Sequence, residues 1–175
     1  MPELAIRFKK KSDGSAALSC TRADGSVTWQ RQEGRLGAFF PLHDLTHLAV
    51  ESVLGLRRAF YGLLAEGWDI TTFGQTDGRE NLPHEALFAE LVVGYFDLER
   101  RMNERATAAD MNDRARAYFA DKNLPAPPFE LTDAEVDEIR SVRDGYFAQW
   151  RALAGGDTLE LPFDRATQTG RRLVG

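Results

Sequence analysis

LAIRFKKKSDGSAALSCTRADGSVTW, residues 4–29, is the stretch on which the fold class turns. Leu4, Ile6 and Phe8 alternate with other residues, the pattern of a strand with one buried face. Ser12-Asp13-Gly14-Ser15 supplies turn chemistry before a second run with Leu18 and Cys20. Asp24-Gly25 is a tight-turn dipeptide, because glycine accepts positive φ without steric cost, and Val27 with Trp29 continues the alternation beyond it. The stretch therefore reads as a three-stranded meander.

Beyond it the period changes from two to that of a helix. Pro41 suits a first helical turn, and Leu42, Leu45, Ala49, Val53, Leu56, Phe60 and Leu64 follow at helical spacing until Gly67. Thr71 to Asn81 is a polar, Gly-containing loop, read as a lid or rim. Pro83 opens a second helix with Leu87, Leu91, Leu98 and Met102 on its apolar face and Glu90, Asp97, Arg101 and Glu104 on its solvated one. A shorter helix is expected over Ala109 to Ala120. After the Pro-rich segment Leu124 to Pro128, Thr132 and Glu135 form a capping box for a further helix, which Gly155-Gly156 stops. Leu159, Leu161 and Phe163 then alternate like a strand able to join the meander. The expected fold is α+β, a single domain over residues 1–175. Its small antiparallel sheet has three N-terminal strands, with Thr158 to Phe163 as a candidate fourth, packed on three to four helices.

Composition narrows the function classes. With 43% apolar and 28% charged residues, a conventional core is expected rather than a disordered or membrane chain. A formal net charge of -5 argues against nucleic acid as partner, since phosphate binders cluster Lys and Arg. Cys20 is the only cysteine, which excludes an intrachain disulfide and a Cys-rich zinc site. In MPELAIRFKKK the lysines follow the apolar residues, against the order of a signal peptide, and no apolar run reaches membrane-spanning length. A cytoplasmic location is the expectation.

Chemistry concentrates in His43-Asp44-Leu45-Thr46-His47. Two of only three histidines sit four residues apart on one helix, and so project from one face one turn apart, as two imidazoles must to reach one divalent ion. His-Asp-x-x-His resembles, over these five residues, the His-Glu-x-x-His of the zincin metalloproteases. That resemblance implies His43 and His47 as zinc ligands and Asp44, one methylene shorter than the zincin Glu, as the group acting on the water. The bland reading makes Asp44 a helix cap and the histidines edge-of-core donors.

A third ligand is needed, and His84, expected inward at the head of the second helix, is the first candidate. Glu51, one turn beyond His47, is a further candidate, with a supporting or merely exposed role as its plainer reading. Glu99 is another, with an ordinary salt bridge as its plainer reading. Cys20 reads as a core residue. Phe39, Phe40, Trp68 and Phe73 flank the histidine helix as pocket walls or as core. The leading expectation is a zinc-dependent hydrolase acting on a small-molecule or peptide substrate. The alternative is a non-catalytic interaction protein whose helices form a homo-oligomer surface and whose histidines are structural.

Overall fold

The structure, a computed structural model, describes residues 1–75, 78 and 81–165. Among the described residues it combines a four-stranded antiparallel sheet with five helices of seven residues or more. Strands β1 (Leu4–Lys10), β2 (Ala16–Arg22) and β3 (Val27–Gln32) form the meander, and β4 (Thr158–Phe163) pairs with the free edge of β1, giving the order β3-β2-β1-β4. The register aligns Phe8 with Leu18 and Leu159, and Leu18 with Gln30. Leu4, Ile6, Phe8, Leu18, Cys20 and Phe163 are buried on the inner face. Burial also pushes the Cys20 thiol far above its ordinary range, in keeping with a core residue.

On β3 the expected alternation is inverted. Val27 and Trp29 are 54% and 55% exposed, whereas Thr28 and Gln32 are buried. Their polar groups have partners inside: Thr28 accepts from the Ile70 amide at 2.9 Å, and Gln32 donates to Asp44. The inner face of β3 is polar because it meets the site described below rather than the apolar core.

The first helix does not run from Leu42 to Leu64 as its spacing suggests. It divides into α1 (Phe40–Leu54) and α2 (Phe60–Glu66) at Gly55, whose φ of 66° ends α1 in the left-handed conformation. The turn is tight, since a Cβ on Gly62 would stand 2.0 Å from the Arg57 carbonyl oxygen. Glu51 fills the role a local cap would have taken at α2, accepting the amides of Tyr61 at 3.0 Å and Gly62 at 3.3 Å. Glu51 is thus fully buried, not on a solvated side.

α1 is enclosed because it stands between two apolar clusters. Leu45 and Leu48 pack toward the sheet with Phe147 and Trp150, while Ala49, Val50 and Leu54 pack toward the helices with Phe88, Val92 and Phe96. A Leu→Ala change at position 48 would cost about 2–5 kcal/mol in such a setting. The remaining helices are α3 (His84–Met102), α4 (Ala108–Asp121) and α5 (Asp133–Ala152), α5 opening with the capping box of Thr132 and Glu135. On α3 the inward stripe is Phe88, Val92, Val93 and Phe96, so Leu98 and Met102 are exposed and Asp97 and Glu99 are buried. No described helix is long and apolar enough to cross a membrane. Of the expected loop Thr71 to Asn81, residues 70–74 form a 3-10 turn, and 76, 77, 79 and 80 lie outside the described residues.

Candidate metal and catalytic site

α1 holds His43 and His47 one turn apart on one face, with ring centroids 4.9 Å from each other. α3 runs antiparallel beside them, and two of its acidic residues, seven positions apart and so on one side of the helix, meet the two imidazoles. Oδ2 of Asp97 lies 2.6 Å from Nδ1 of His43, and Oε1 of Glu90 lies 3.3 Å from Nε2 of His47. Phe39 stacks on His43 at 5.4 Å and Phe60 leans on His47 at 5.3 Å, which restrict both rings. Nδ1 of His47 faces inward toward Oε1 of Glu51 at 3.7 Å and has no hydrogen-bond partner.

One ligand atom each from His43, His47 and Glu90 lies within 4.8 Å of the other two. Ligands about 2.0–2.1 Å from a tetrahedral zinc stand about 3.3 Å apart. The His47–Glu90 separation has that value, and the His43 ligand atom lies within 4.8 Å of both.

The electrostatics are those of two imidazoles among three buried carboxylates, Asp44, Glu51 and Asp97, and the exposed Glu90. Burial acts to lower the His47 pKa, but Glu90 and Glu51 outweigh it and raise it to about 10. Burial raises Glu51, against the opposing influence of His47 and the two amides it accepts. Asp44 is buried as well. Its carboxyl is pushed up to about 6 by desolvation, with the charges of His43 and His47 and the Gln32 hydrogen bond pulling the other way.

Asp44 is not the cap of α1. Phe39 occupies the cap position without a side-chain bond, and Asp44 is four residues into the helix, turned toward Gln32 on β3. It also lines a cavity of about 370 Å³ together with His43, His47, Glu90 and Gln30. The remaining wall is apolar, with Phe40, Phe60, Ile70, Phe73, Leu82, Leu87 and Tyr118 contributing. Of the flanking aromatics, Phe40 and Phe73 are thus walls, Phe39 supports His43, and Trp68 packs behind Phe73 at 5.9 Å.

His84 does not join the cluster. It begins α3, six residues before Glu90, about 9 Å along the helix axis at 1.5 Å per residue, and its ring packs edge-on against Phe119 at 5.9 Å. Glu51 supports His47 from behind and holds α2, so it does not complete the set. Glu99 is bound by Arg140 through two hydrogen bonds of 3.1 and 2.8 Å, the ordinary salt bridge of its plainer reading. Glu90 and Asp97 were hidden in the sequence because both fall on what reads as the solvated face of α3. Their spacing of seven beside an i, i+4 histidine pair was the one available signal. Comparison with protein-family models, curated proteins and solved structures found no match to this chain.

Proposed function

We propose that the chain is a metal-dependent hydrolase whose divalent ion, zinc by its donor chemistry, is held by His43, His47 and Glu90. The observation that carries this reading is the convergence of two imidazoles and one carboxylate within 4.8 Å at the wall of a cavity. Three protein ligands with a position left toward a cavity is the arrangement of catalytic rather than structural zinc. The ion would supply a water acidified toward neutrality and polarise a substrate carbonyl.

The chain's own residues account for the other requirements. Asp97 would hold the His43 Nδ1 proton and leave Nε2 as the donor atom, whereas Glu51 faces Nδ1 of His47 at 3.7 Å, beyond hydrogen-bond distance, and acts on it through its charge. Asp44, raised to about 6, is suited to take a proton from the attacking water and return it to the leaving group. The apolar walls exclude solvent and receive the hydrocarbon part of a small molecule or peptide. No Lys or Arg lines the cavity among the described residues, which favours a neutral ester or amide over a phosphoester.

A second reading has its own observation. With its pKa raised to about 10, His47 is protonated at neutral pH and lies between Glu51 and Glu90, a self-sufficient ion-pair cluster that needs no metal. The histidines would then be structural and the helices an interaction surface. Elemental analysis of untagged protein, followed by calorimetric zinc titration of wild type, His43→Ala/His47→Ala and Glu90→Gln, separates the two. Stoichiometric uptake that both variants lose supports the metal site; equal, substoichiometric uptake by all three leaves the structural reading.

A further inference from the structure

Away from the histidines, where the C-terminal end of α3 meets α5, a second cavity of about 510 Å³ is lined by four arginines, Arg100, Arg105, Arg143 and Arg151, against two carboxylates, Glu99 and Asp144. Both carboxylates are engaged: Glu99 is clasped by Arg140 from outside the cavity, and Asp144 accepts Nε and Nη2 of Arg143 at 3.0 and 2.9 Å. The guanidinium groups are held by rings. Arg143 lies over Phe96 and Phe147 at 5.4 and 5.6 Å, and Arg151 over Phe147 at 5.5 Å.

Two of these arginines carry buried donors without a hydrogen bond. Nη1 of Arg143 has none, its nearest carboxylate oxygen being that of Glu99 at 3.8 Å, and Nε of Arg100 has none either. A buried unsatisfied donor on a charged group is costly unless something arrives to accept it. Stacked, preoriented guanidinium groups with spare N–H bonds match the geometry of an oxyanion.

We propose that this cavity binds a phosphate-type oxyanion, with the largely covered Arg143 at its base and Arg105 and Arg151 as the outer clasp. Two negative charges on adjacent oxygens are what an excess of two guanidinium groups over carboxylates calls for, so phosphate and phosphate monoesters fit better than a monocarboxylate. The proposal does not rest on the metal reading, although Arg100 shares the Asp97 carboxylate with His43.

Arg105 and Arg151 are exposed, so replacing them removes the ring contact of Arg151 with Phe147 and leaves the contacts of Arg143 with Phe96 and Phe147 in place. The experiment titrates inorganic phosphate, and separately glycerol phosphate, into the full chain at fixed ionic strength, following arginine Nε–H resonances and heat. Fixed ionic strength matters because exposed arginines attract any anion weakly and salt screens that attraction. Saturable binding is expected for at least one probe, weakened about tenfold or more in Arg105→Gln/Arg151→Gln, since two charge-assisted hydrogen bonds are lost. The melting temperature without phosphate should be unchanged in that variant. Binding of both probes gives the phosphate group itself as the ligand, and binding of glycerol phosphate alone gives a phosphorylated small molecule. No saturable binding of either probe, or equal affinity in wild type and variant, overturns the proposal.

Discussion

Asp97 connects the two charged regions of the molecule through one carboxylate: Oδ2 lies 2.6 Å from Nδ1 of His43, and Oδ1 accepts Nη2 of Arg100 at 3.2 Å. A carboxylate held on both sides fixes the tautomer and rotation of the imidazole it meets. Under the metal reading Asp97→Asn should therefore weaken zinc binding about 10–100-fold while the fold persists. Competition against a chromophoric chelator at pH 7 measures this. Unchanged affinity would show that Asp97 orients no ligand.

Zinc must displace any proton on His47, because a ligating imidazole is neutral. Glu90 and Glu51 hold that proton up to a pKa of about 10, so affinity should rise with pH across the neutral range, by about tenfold per unit for each proton displaced. Calorimetry in buffers of different ionisation enthalpy counts the protons. Release of at least one proton per zinc at pH 7 is expected, and zero release contradicts ligation by a protonated His47.

Glu99 and Arg140 are each 8% exposed and joined by two hydrogen bonds. Removing Glu99 leaves Arg140 bonded to Asp137 at 2.9 Å and to the Ala106 carbonyl at 2.6 Å, so the loss is about 1–3 kcal/mol, below the cost of a fully stranded buried charge. Glu99→Ala and Arg140→Ala should each lower denaturant stability by that order, and the double variant should cost less than the sum. Additive losses would show that the two groups are not coupled.

The sheet was legible because its inner residues alternate with period two, and β4 carried the same signal at the far end of the chain. Capping at Thr132 was legible for the same reason, being local. What the sequence hid was set by partners distant along it. The break at Gly55 follows from a helix end finished by Glu51, and no periodicity reports that. On the face of α3 that reads as solvated, Glu90 is indeed exposed, whereas Asp97 is buried because α1 supplies His43 against it. His43 and His47 were recoverable from spacing alone; their acidic partners needed the antiparallel packing of two helices.

Arg165, just after β4, donates to Glu3, just before β1, from Nε at 2.9 Å, closing the edge of the β1–β4 pair. The bond to Arg165 holds the Glu3 carboxyl below its usual range despite some desolvation. A depressed carboxylate contributes stability above its unfolded pKa of about 4.3 and loses it as pH falls through the folded value. Glu3→Gln should cost about 1 kcal/mol or less at pH 7, given partial exposure, and less at pH 3 than at pH 7. Urea melts of both proteins at the two pH values test the sign, and a gap that widens in acid would refute it.

Asp44 separates catalysis from architecture most sharply, because burial makes its charge costly. Its carboxyl is raised from 3.8 to about 6, so ionisation opposes folding above pH 6, and the penalty disappears below about pH 4. Asp44→Asn keeps an acceptor for Gln32 once its amide is oriented, and removes the charge. It should raise stability at pH 7 by an amount on the order of 1–3 kcal/mol, with the gain fading as pH falls toward 4. Asp44→Ala instead leaves a Gln32 donor unmet in the interior, a cost of about 1–3 kcal/mol that offsets the gain. Under the hydrolase proposal Asp44 would be the general base and indispensable to turnover, and Asn has no basicity to offer. The expected signature is a more stable and inactive Asp44→Asn protein that still binds zinc, measured by melts, calorimetry and an ester and amide screen with added zinc. If a substrate is found and Asp44→Asn turns it over at the wild-type rate, Asp44 is a buried partner of Gln32 and nothing more.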